Sequence, residues 1–290
     1  MLYIIANPLA GGGKGKETAV LIEKELNRKN IPHILEYTQY RGHALELARK
    51  AAHSEARAIV ALGGDGTFFE VLNGITGSQK PLGLISAGRG NDFIRSAVIP
   101  SDPIKALDVI LAGHTRLIDC LSINGKCCLN VTGTGLDVDI LMRADKYRSR
   151  LKGSFSYYLA LIVSLAVFPF RKFTFSADGG ETRTENAMMV SLANGRMCGG
   201  GLKVAPQALL DDQYIDFVVI KKFPRIKLPF LLAKFLKGKV LELDCVELHR
   251  CKSVRLSVEP ALPLNVDGEL LDALPLEAQI IPQAITIFTP

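Results

Sequence analysis

The sequence predicts a doubly wound α/β domain followed by a mainly antiparallel β domain. Over the first 120 residues, short apolar runs alternate with segments whose apolar residues recur at helical spacing, a βαβα rhythm typical of an open, mostly parallel sheet. From about Leu121 onward, short β-rich runs separated by turn residues dominate. With 290 residues, 48% of them hydrophobic, the chain is long enough for two such cores. We therefore predict domains at 1–120 and 121–290, and the last few residues are candidates to pack back on the first domain.

The elements of the first domain follow from its apolar pattern. Strands are predicted at 2–6, 34–38, 58–62 and 82–85, and helices at 17–29, 43–53 and 68–73. The run 58–62 is continuously apolar, as in strands that a parallel sheet buries on both faces.

In the second domain, β-rich runs are expected at 127–132, 172–176, 187–192, 214–220, 254–258 and 284–288, with two helical insertions at 155–168 and 228–237. The stretch 155–170 is the most apolar of the chain, yet it is shorter than the ~20 residues of a membrane-spanning helix, and Pro169 lies near its end. We predict a buried or interfacial helix there. The dipeptides Asp178-Gly179 and Asp267-Gly268 predict tight turns.

The most informative motif, Gly63-Gly64-Asp65-Gly66-Thr67, follows the strand at 58–62. Glycines allow a sharp turn and close approach of a ligand to the backbone, and the following helix directs its positive end to the same place, which favours phosphate. Beside phosphates, Asp65 would hold Mg²⁺ or its waters, and Thr67 can donate its hydroxyl or cap the helix. The simpler interpretation is a tight strand–helix turn with a capping threonine.

Other phosphate-binding patterns are disfavoured in the earlier glycine-rich loop, 11–15. The pattern G-x-x-x-x-G-K-[ST] fails because Ala10 stands at its first glycine and Glu17 replaces the Ser/Thr, and G-x-G-x-x-G fails at Lys16. The sequence has no G-x-S-x-G elbow, H-E-x-x-H zinc motif or protein-kinase H-R-D set. A nucleic-acid partner is not expected, because neither a basic–aromatic platform nor a helix-turn-helix pattern is present.

Two later motifs supply further acids. Asn91 and Asp92 follow the strand at 82–85 and could meet Asp65 across the carboxyl edge of the sheet, although Asn-Asp alone is more often a turn. Near the end of the chain, Asn265-Val-Asp-Gly-Glu269 reads first as a hairpin. In a functional interpretation Glu269 is a general base, because phosphoryl transfer to an alcohol benefits from a carboxylate that accepts the hydroxyl proton.

Taken in order, these motifs resemble those of the diacylglycerol kinase catalytic family, in particular its bacterial soluble lipid kinases. The resemblance covers nearly the whole chain and rests on Asn7-Pro8 with Gly11, Thr38 before Gly42, Gly63–Thr67 continuing to Glu70, Asn73 and Gly74, the Gly-x-Gly-Asn-Asp-Phe loop, and Asp-Gly-Glu. It implies a nucleotide-binding α/β domain followed by an antiparallel β-sandwich, with the active site between them. It also implies an ATP- and Mg²⁺-dependent kinase of phospholipid biosynthesis that phosphorylates a membrane lipid hydroxyl, with diacylglycerol giving phosphatidic acid.

The resemblance also assigns site residues. ATP contacts are implied at Asn7, Pro8, Leu9, Ala10, Gly11, Thr38, Gly64, Asp65, Gly66, Thr67, Phe68, Phe69 and Glu70. Asp65 and Asp92 would organise the catalytic Mg²⁺, Asp119 would support the cleft, and Glu269 would be the base. A structural Mg²⁺ site is implied at the Asp212 carboxylate with main-chain oxygens of Leu209 and Tyr214, ligands that suit a hard cation.

Two positions depart from the family pattern. Arg89 stands where the family usually has a threonine; we include it among the ATP contacts, since a cation near the triphosphate could replace that hydrogen bond or alter nucleotide preference. Gln213 replaces the glycine of the structural metal turn, which puts the geometry of that site in doubt.

Charge and hydropathy bear on where the enzyme works. The net charge is +6, and the segment 221–239 carries seven Lys/Arg and no acid among phenylalanines and leucines. Such a segment can lie on an anionic bilayer, while an ordinary amphipathic helix with lysines on its wet face explains it equally well. The chain begins without a basic leader, so we expect a cytoplasmic, peripherally membrane-associated enzyme. An exposed sandwich edge could pair with a second copy to give a homodimer.

Three alternatives stay open: an NAD kinase-like enzyme, which also carries Gly-Gly-Asp-Gly-Thr, a sphingoid-base kinase, and a catalytically silent nucleotide- or lipid-binding regulator. Asn7-Pro8 and the late Asp-Gly-Glu favour the lipid kinase. The presence of Asp65, Asp92 and Glu269 together argues against a silent regulator.

Overall fold

The computed structural model describes residues 1–88, 90–148, 155–272 and 275–290. The chain forms two compact units. The first comprises Met1–Cys120, Leu210–Gln213 and Ile281–Pro290, and the second Leu121–Leu209 and Tyr214–Ile280.

The first unit is an α/β fold around a parallel sheet. Its elements are β1 Leu2–Ala6, α1 Lys14–Arg28, β2 His33–Tyr37, α2 His43–Ala52, β3 Ala58–Gly63, α3 Asp65–Ile75, β4 Leu82–Ser86, α4 Asp92–Ser96 and α5 Pro103–Ala112. The strand order is β4-β3-β1-β2, all parallel, and Ile287 near the C terminus pairs in parallel with Leu82 of β4. The predicted α/β class is confirmed.

Burial explains why these segments form strands and helices. Every residue of β1, β3 and β4 is buried, as the continuous apolar runs predicted. Helix α1 buries Ala19, Ile22 and Leu26 along one stripe, while Leu21 faces solvent.

Helix α3 begins at Asp65, three residues before the predicted start. Gly64 is its N-cap, and the Phe68 amide donates to the Gly64 carbonyl at 3.0 Å. The apolar pattern marked only the part of the helix that faces the core. The true first turn is polar, and it places Asp65 at the positive end of the helix.

The second unit is a β-sandwich-type domain built from antiparallel strands. Its elements are β6 Lys126–Cys128, β7 Val131–Gly135, α6 Leu136–Arg148, α7 Phe155–Val167, β8 Arg171–Ala177, β9 Arg183–Ala193, β10 Ile215–Lys221, α8 Leu228–Lys237, β11 Val246–Cys251, β12 Ser253–Glu259, β13 Leu264–Val266 and β14 Glu269–Leu271. Two long strands, β5 Thr115–Ile123 and β15 Leu276–Phe288, contribute residues to both units. The predicted fold class is confirmed here as well.

Strand β9 is the centre of this antiparallel arrangement. It pairs with β7, β8 and β10, while β8 pairs in turn with β12 and β10 with β11. Both predicted Asp-Gly turns lie between antiparallel strands, and all four residues adopt positive φ: Asp178 50°, Gly179 70°, Asp267 51° and Gly268 92°. This is the type I′ geometry that Asp-Gly favours.

The second unit contains a helix that the sequence did not predict. The expectation of only two helical insertions, 155–168 and 228–237, was wrong, because α6 precedes them. In the segment that opens α6, Leu136, Val138 and Ile140 alternate with acids, a strand-like period. The helix nevertheless buries all three against the β strands and α7, because tertiary packing overrides a weak local pattern.

Helices α6, α7 and α8 share one hydrophobic core with β7, β9 and β10. Its buried members include Ile140, Ala160, Val218, Leu231 and Phe235. Among the described residues, no helix is both long and apolar enough to cross a membrane.

The buried face of α3 should be a main source of stability for the first unit. Leu72 on α3 is 1% exposed, whereas Leu21 on α1 is 45% exposed. We expect Leu72→Ala to lower the free energy of unfolding by about 3–5 kcal/mol, because it removes buried methyl groups and leaves a cavity. Leu21→Ala is the matched control and should cost less than about 1 kcal/mol. Denaturant unfolding of the two variants checks this, and equal losses would contradict it.

Candidate functional site

Asn7 joins the first two glycine-rich loops. It follows β1, and its amide donates to the Leu62 carbonyl at 2.9 Å. Its side-chain oxygen accepts from the Leu9 amide at 3.0 Å, and its side-chain nitrogen donates to Thr67 Oγ1 at 3.2 Å. Asn7 of the Asn-Pro motif therefore holds Thr67 of the Gly-Gly-Asp-Gly-Thr motif by a side-chain hydrogen bond.

The glycines of the first loop are required by close backbone packing. A Cβ on Gly11, whose φ is +63°, would lie 2.1 Å from the Ala87 carbonyl oxygen, and one on Gly15 would lie 1.9 Å from the Asn7 carbonyl oxygen. No side chain fits at such distances without moving backbone. The loop is thereby held against both the end of β1 and the loop after β4.

The second and third glycine loops meet backbone to backbone. A Cβ on Gly88 would lie 2.7 Å from the Gly64 Cα, and one on Gly90 would lie 2.5 Å from Asp65 Oδ2 and 4.0 Å from Asp92 Oδ2. The carboxylates of Asp65 and Asp92 therefore converge on one point at Gly90. This is the meeting of acids at the carboxyl edge of the sheet that the sequence suggested.

Hydrogen bonds and burial set the electrostatics of these acids. Asp65 is half-buried, and its Oδ2 accepts from the Asn91 amide at 3.0 Å. Burial raises the pKa of Asp65, and the amides of Asn91 and Asp92 and the charge of Arg95 oppose that rise. Asp92 is buried, and its Oδ1 lies 3.4 Å from Arg95 Nη1.

Within the described part of the chain, which leaves out Arg89, the buried oxygens Asn91 Oδ1 and Ser86 Oγ have no hydrogen-bond partner. Asn91 adopts a left-handed conformation with φ +56°, which helps to turn the chain into α4. A buried polar atom without a partner is costly, so such atoms often mark the place of a ligand.

The donor set suits Mg²⁺ held jointly with phosphate. Two carboxylates and an amide oxygen are the hard ligands that this cation takes. Within the described part of the chain, no three His, Cys, Asp or Glu side chains are close enough to hold a metal by themselves. Mg²⁺ commonly binds through one or two carboxylates plus substrate phosphates, so Asp65 and Asp92 fit that mode.

The carboxylate of Glu70, predicted to contact ATP, accepts hydrogen bonds from backbone amides of the protein. Its Oε1 accepts from the Gly42 amide at 2.8 Å and its Oε2 from the Ala44 amide at 3.2 Å. The carboxylate thus caps the N terminus of α2 and ties it to α3.

The other predicted nucleotide contacts differ in exposure. Phe68 is buried, Leu9 is exposed, and Pro8, Ala10, Gly11, Thr38, Gly64, Gly66 and Phe69 are half-buried. The Thr38 amide donates to the Ala6 carbonyl at 2.9 Å, so Thr38 lies at the same strand ends as Asn7. Arg89 lies outside the described residues.

Asp119 is a fully buried organiser of backbone in the first unit. Its Oδ2 accepts from the Gln213 amide at 2.6 Å and its Oδ1 from the Gln283 amide at 2.8 Å. Both glutamines have positive φ, 65° and 50°. Asp119 thus stabilises two left-handed residues that would otherwise be strained.

This contact bears on the predicted structural metal turn. Gln213 adopts the left-handed conformation that a glycine would take there, so the substitution keeps the backbone of the turn. Asp212 is half-buried, whereas Leu209 and Tyr214 are exposed. Asp211 faces Arg116 at 3.7 Å. A cation at this turn stays a prediction.

In the second unit, Glu269 opens β14 directly after the Asp267-Gly268 turn and pairs with Val266 across the hairpin. The Asp267 carboxylate fixes this hairpin through hydrogen bonds from neighbouring backbone amides. It accepts from the amides of Leu129, Asn130 and Val131 at 2.8, 3.0 and 3.1 Å and from the Cys128 thiol at 3.2 Å. The residue read from sequence only as a turn former is thus the anchor of the proposed base.

A second acid beside this hairpin was missed by the sequence analysis. Asp137, in the first turn of α6, accepts from Asn265 Nδ2 at 3.1 Å, and Asn265 accepts in turn from the Gly268 amide at 2.9 Å. Among the residues that the structure describes, buried Asp137 Oδ1 has no hydrogen-bond partner. Burial raises the pKa of Asp137 to about 6, opposed by the hydrogen bond from Asn265. The only hint in the sequence is an acid just after Gly133-Thr-Gly.

The raised pKa of Asp137 makes stability depend on pH. The folded chain keeps a proton between the ordinary value of 3.8 and about 6 that the unfolded chain has lost, so stability falls as pH rises through this window. We expect Asp137→Asn to reduce the loss of unfolding free energy between pH 4 and pH 7.5 by up to about 3 kcal/mol. Urea unfolding at the two pH values checks this. The same pH dependence in both proteins would contradict it.

Comparison with known proteins places both units in one family. Residues 1–123 match the diacylglycerol kinase catalytic domain, and residues 130–289 match the YegS C-terminal NAD kinase beta sandwich-like domain. A diacylglycerol kinase of Mycobacterium tuberculosis is 30% identical over 293 residues, covering 99% of this chain and 94% of that protein.

Solved structures agree on the fold. The crystal structure of a diacylglycerol kinase from Bacillus anthracis has a TM-score of 0.83 at 25% identity and covers 100% of this chain and 96% of that one. An NAD kinase from Archaeoglobus fulgidus in complex with ATP has a TM-score of 0.56 at 14% identity, covers 100% of this chain and 94% of that one, and shares the fold alone. With both halves matched and the glycine loops and Asp-Gly-Glu hairpin in place, this chain belongs to the diacylglycerol kinase family.

Proposed function

We propose that this protein is an ATP- and Mg²⁺-dependent lipid kinase that transfers the γ-phosphoryl group of ATP to a hydroxyl of a membrane lipid, with diacylglycerol giving phosphatidic acid. Its enzyme class follows from the family, a phosphotransferase with an alcohol group as acceptor. The observation that supports the proposal most is the convergence of Asp65 and Asp92 where two glycine loops pack backbone to backbone.

The nucleotide side of the reaction belongs to the first unit. The N terminus of α3, which begins directly after Gly63-Gly64, favours phosphate there. Asp65 and Asp92 would hold Mg²⁺, which when bound would neutralise charge on the phosphates. Asn91 Oδ1, buried without a partner, is an additional oxygen for the metal or for one of its waters.

The acceptor side depends on the hairpin of Glu269. In the proposed step the lipid hydroxyl oxygen forms a bond to the γ-phosphorus while the bond to the β–γ bridging oxygen breaks and ADP leaves. The Glu269 carboxylate accepts the hydroxyl proton. The amide cage around Asp267 and the Asn265–Asp137 hydrogen bond fix the hairpin, so the base is positioned before substrate arrives.

The alternatives carry less support. Likeness to the NAD kinase is one of fold alone. A sphingoid-base kinase would use the same acids, so only the acceptor distinguishes it. A cytoplasmic enzyme that works at the membrane surface is part of our proposal, because its acceptor is a membrane lipid.

Removal of the proposed base should separate catalysis from binding. We expect Glu269→Gln to lower kcat by about 10²- to 10⁴-fold, since the amide cannot accept the proton, while the Kd for ATP stays unchanged. The matched control is Glu277→Gln, a glutamate on the solvent face of the second unit paired to Arg255 at 3.3 Å. Steady-state kinetics with labelled ATP and calorimetric ATP binding provide both readouts. A near-normal kcat in Glu269→Gln would remove the assignment of the base.

Replacement of Asp65 should change the affinity for the nucleotide. We expect Asp65→Asn to weaken binding of ATP with Mg²⁺ by about tenfold or more and to leave binding without Mg²⁺ much less affected. Asp108→Asn, on an exposed aspartate of α5, is the control. Calorimetry with and without Mg²⁺ measures the difference. Unchanged Kd values in both conditions would show that Asp65 does not serve the metal.

A further inference from the structure

The solvent-facing side of α8 is apolar. Leu231 and Phe235 face the core of the second unit and are buried. On its outer side, Phe230 is 56% exposed and Leu236 60%, and Ile226, in the short turn just before the helix, is 90% exposed. A helix that is apolar on both sides is expected only where its outer side also meets an apolar phase.

Two lysines of the segment, Lys234 and Lys221, do not belong to a freely solvated face. Lys234 contacts Glu242 and lies 5.4 Å from the ring centre of Phe230, and Lys221 contacts Glu247. These lysines are therefore directed along the protein surface and neutralised by acids of the same unit.

Three other lysines form a cationic border around the apolar side. Lys222, Lys227 and Lys237 are exposed, and within the described ranges no carboxylate lies within ion-pair distance of them. The segment therefore adds exposed positive charge to its exposed apolar residues.

The end of α7 extends the same surface. Arg225 donates to the carbonyls of Ala166 and Phe168 and lies 5.6 Å from the ring centre of Phe170. This contact holds Ile226, the next residue, beside the end of α7, where Val167 is 55% exposed. Two elements thus present apolar side chains at one junction.

A cavity of about 590 Å³ opens beside this junction. Lysines 221, 222 and 227 line it together with Phe223, Ile226, Phe230 and Leu231, and the acids Glu242 and Asp244 line it as well. The cavity places three lysines directly beside the exposed Ile226 and Phe230.

We propose that this face docks the enzyme on an anionic lipid bilayer. Ile226 and Phe230 enter the headgroup–acyl boundary, and Lys222, Lys227 and Lys237 contact headgroup phosphates. The inference extends the proposed function, because it names the surface from which the lipid substrate would be reached. A second copy is the less suitable occupant, since a two-fold contact through this face would bring like-charged lysines together.

Vesicle binding tests the proposal without any catalytic readout. The protein is co-sedimented with vesicles of phosphatidylcholine alone and with vesicles in which phosphatidylglycerol replaces about a third of the lipid. We expect strong binding to the anionic vesicles only. The variant Ile226→Ser/Phe230→Ser should bind about tenfold or more weakly, since the inserted apolar area is lost. Reversal of Lys222, Lys227 and Lys237 to Glu should weaken binding on the order of a hundredfold.

Matched controls carry equal changes elsewhere. Val20→Ser/Leu21→Ser replaces two exposed apolar residues of α1, and reversal of Lys24, Lys105 and Lys126 to Glu changes the net charge equally. Both should bind like wild type. Equal losses in the controls, or no preference of wild type for anionic vesicles, would overturn the proposal. So would a dimer in sedimentation velocity that Ile226→Ser/Phe230→Ser abolishes.

The proposed docking face and the proposed catalytic base are tested by separate measurements. Glu269→Gln should bind vesicles like wild type, whereas the Ile226→Ser/Phe230→Ser variant should keep its kcat on a short-chain acceptor dispersed in buffer. Loss of kcat on that dispersed acceptor in the serine variant would show that the face serves the reaction itself and would overturn its assignment as a docking surface.

Discussion

The contact between the backbones at Gly64 and Gly88 is the constraint on which the nucleotide end of the first unit depends. A single Cβ at Gly88 would come within 2.7 Å of the Gly64 Cα and 3.1 Å of Asn91 Oδ1. Because neither residue has a side chain, the loops after β3 and β4 touch, and the acids that follow each loop converge. A larger residue at Gly88 would separate Asp65 from Asp92 before it altered the core, because the parallel strands beneath are fully buried.

Buried carboxylates organise the rest of the scaffold by accepting backbone amides. Asp119 does so for two residues with positive φ, Glu70 for the start of α2, and Asp267 for three successive amides under the Glu269 hairpin. These acids are satisfied by the protein and are poor candidates for ligand contacts. The acids that we propose for chemistry are Asp65 and Asp92, which approach each other at Gly90, and Glu269, which follows the turn anchored by Asp267.

The sequence predicted β1 to β4 and α1 to α3 of the first unit because these elements are locally consistent, but it did not predict α4 or α5. Continuous apolar runs marked β1, β3 and β4, and Asp-Gly marked both hairpin turns of the second unit. The sequence did not predict α6, because the alternation of apolar and acidic residues at its start is typical of a strand. Contacts with residues distant in sequence decide its conformation. The features of the site likewise include some that the sequence could predict and some that it could not. The approach of Asp65 to Asp92 could be foreseen from strand ends, whereas the capping role of Glu70 and the buried Asp137 depend on partners 26 to 28 and 128 residues away. The pairing of Lys234 with Glu242 likewise appears only in three dimensions.

We propose that this chain phosphorylates a lipid hydroxyl from ATP. The most direct test is transfer of labelled γ-phosphate with Mg²⁺ to diacylglycerol, phosphatidylglycerol, ceramide and sphingosine in anionic mixed micelles, with NAD offered in buffer. We expect a labelled lipid, with diacylglycerol giving labelled phosphatidic acid. Label on NAD alone would contradict the lipid assignment, and a protein that binds ATP yet labels none of these acceptors would contradict the proposed activity on them.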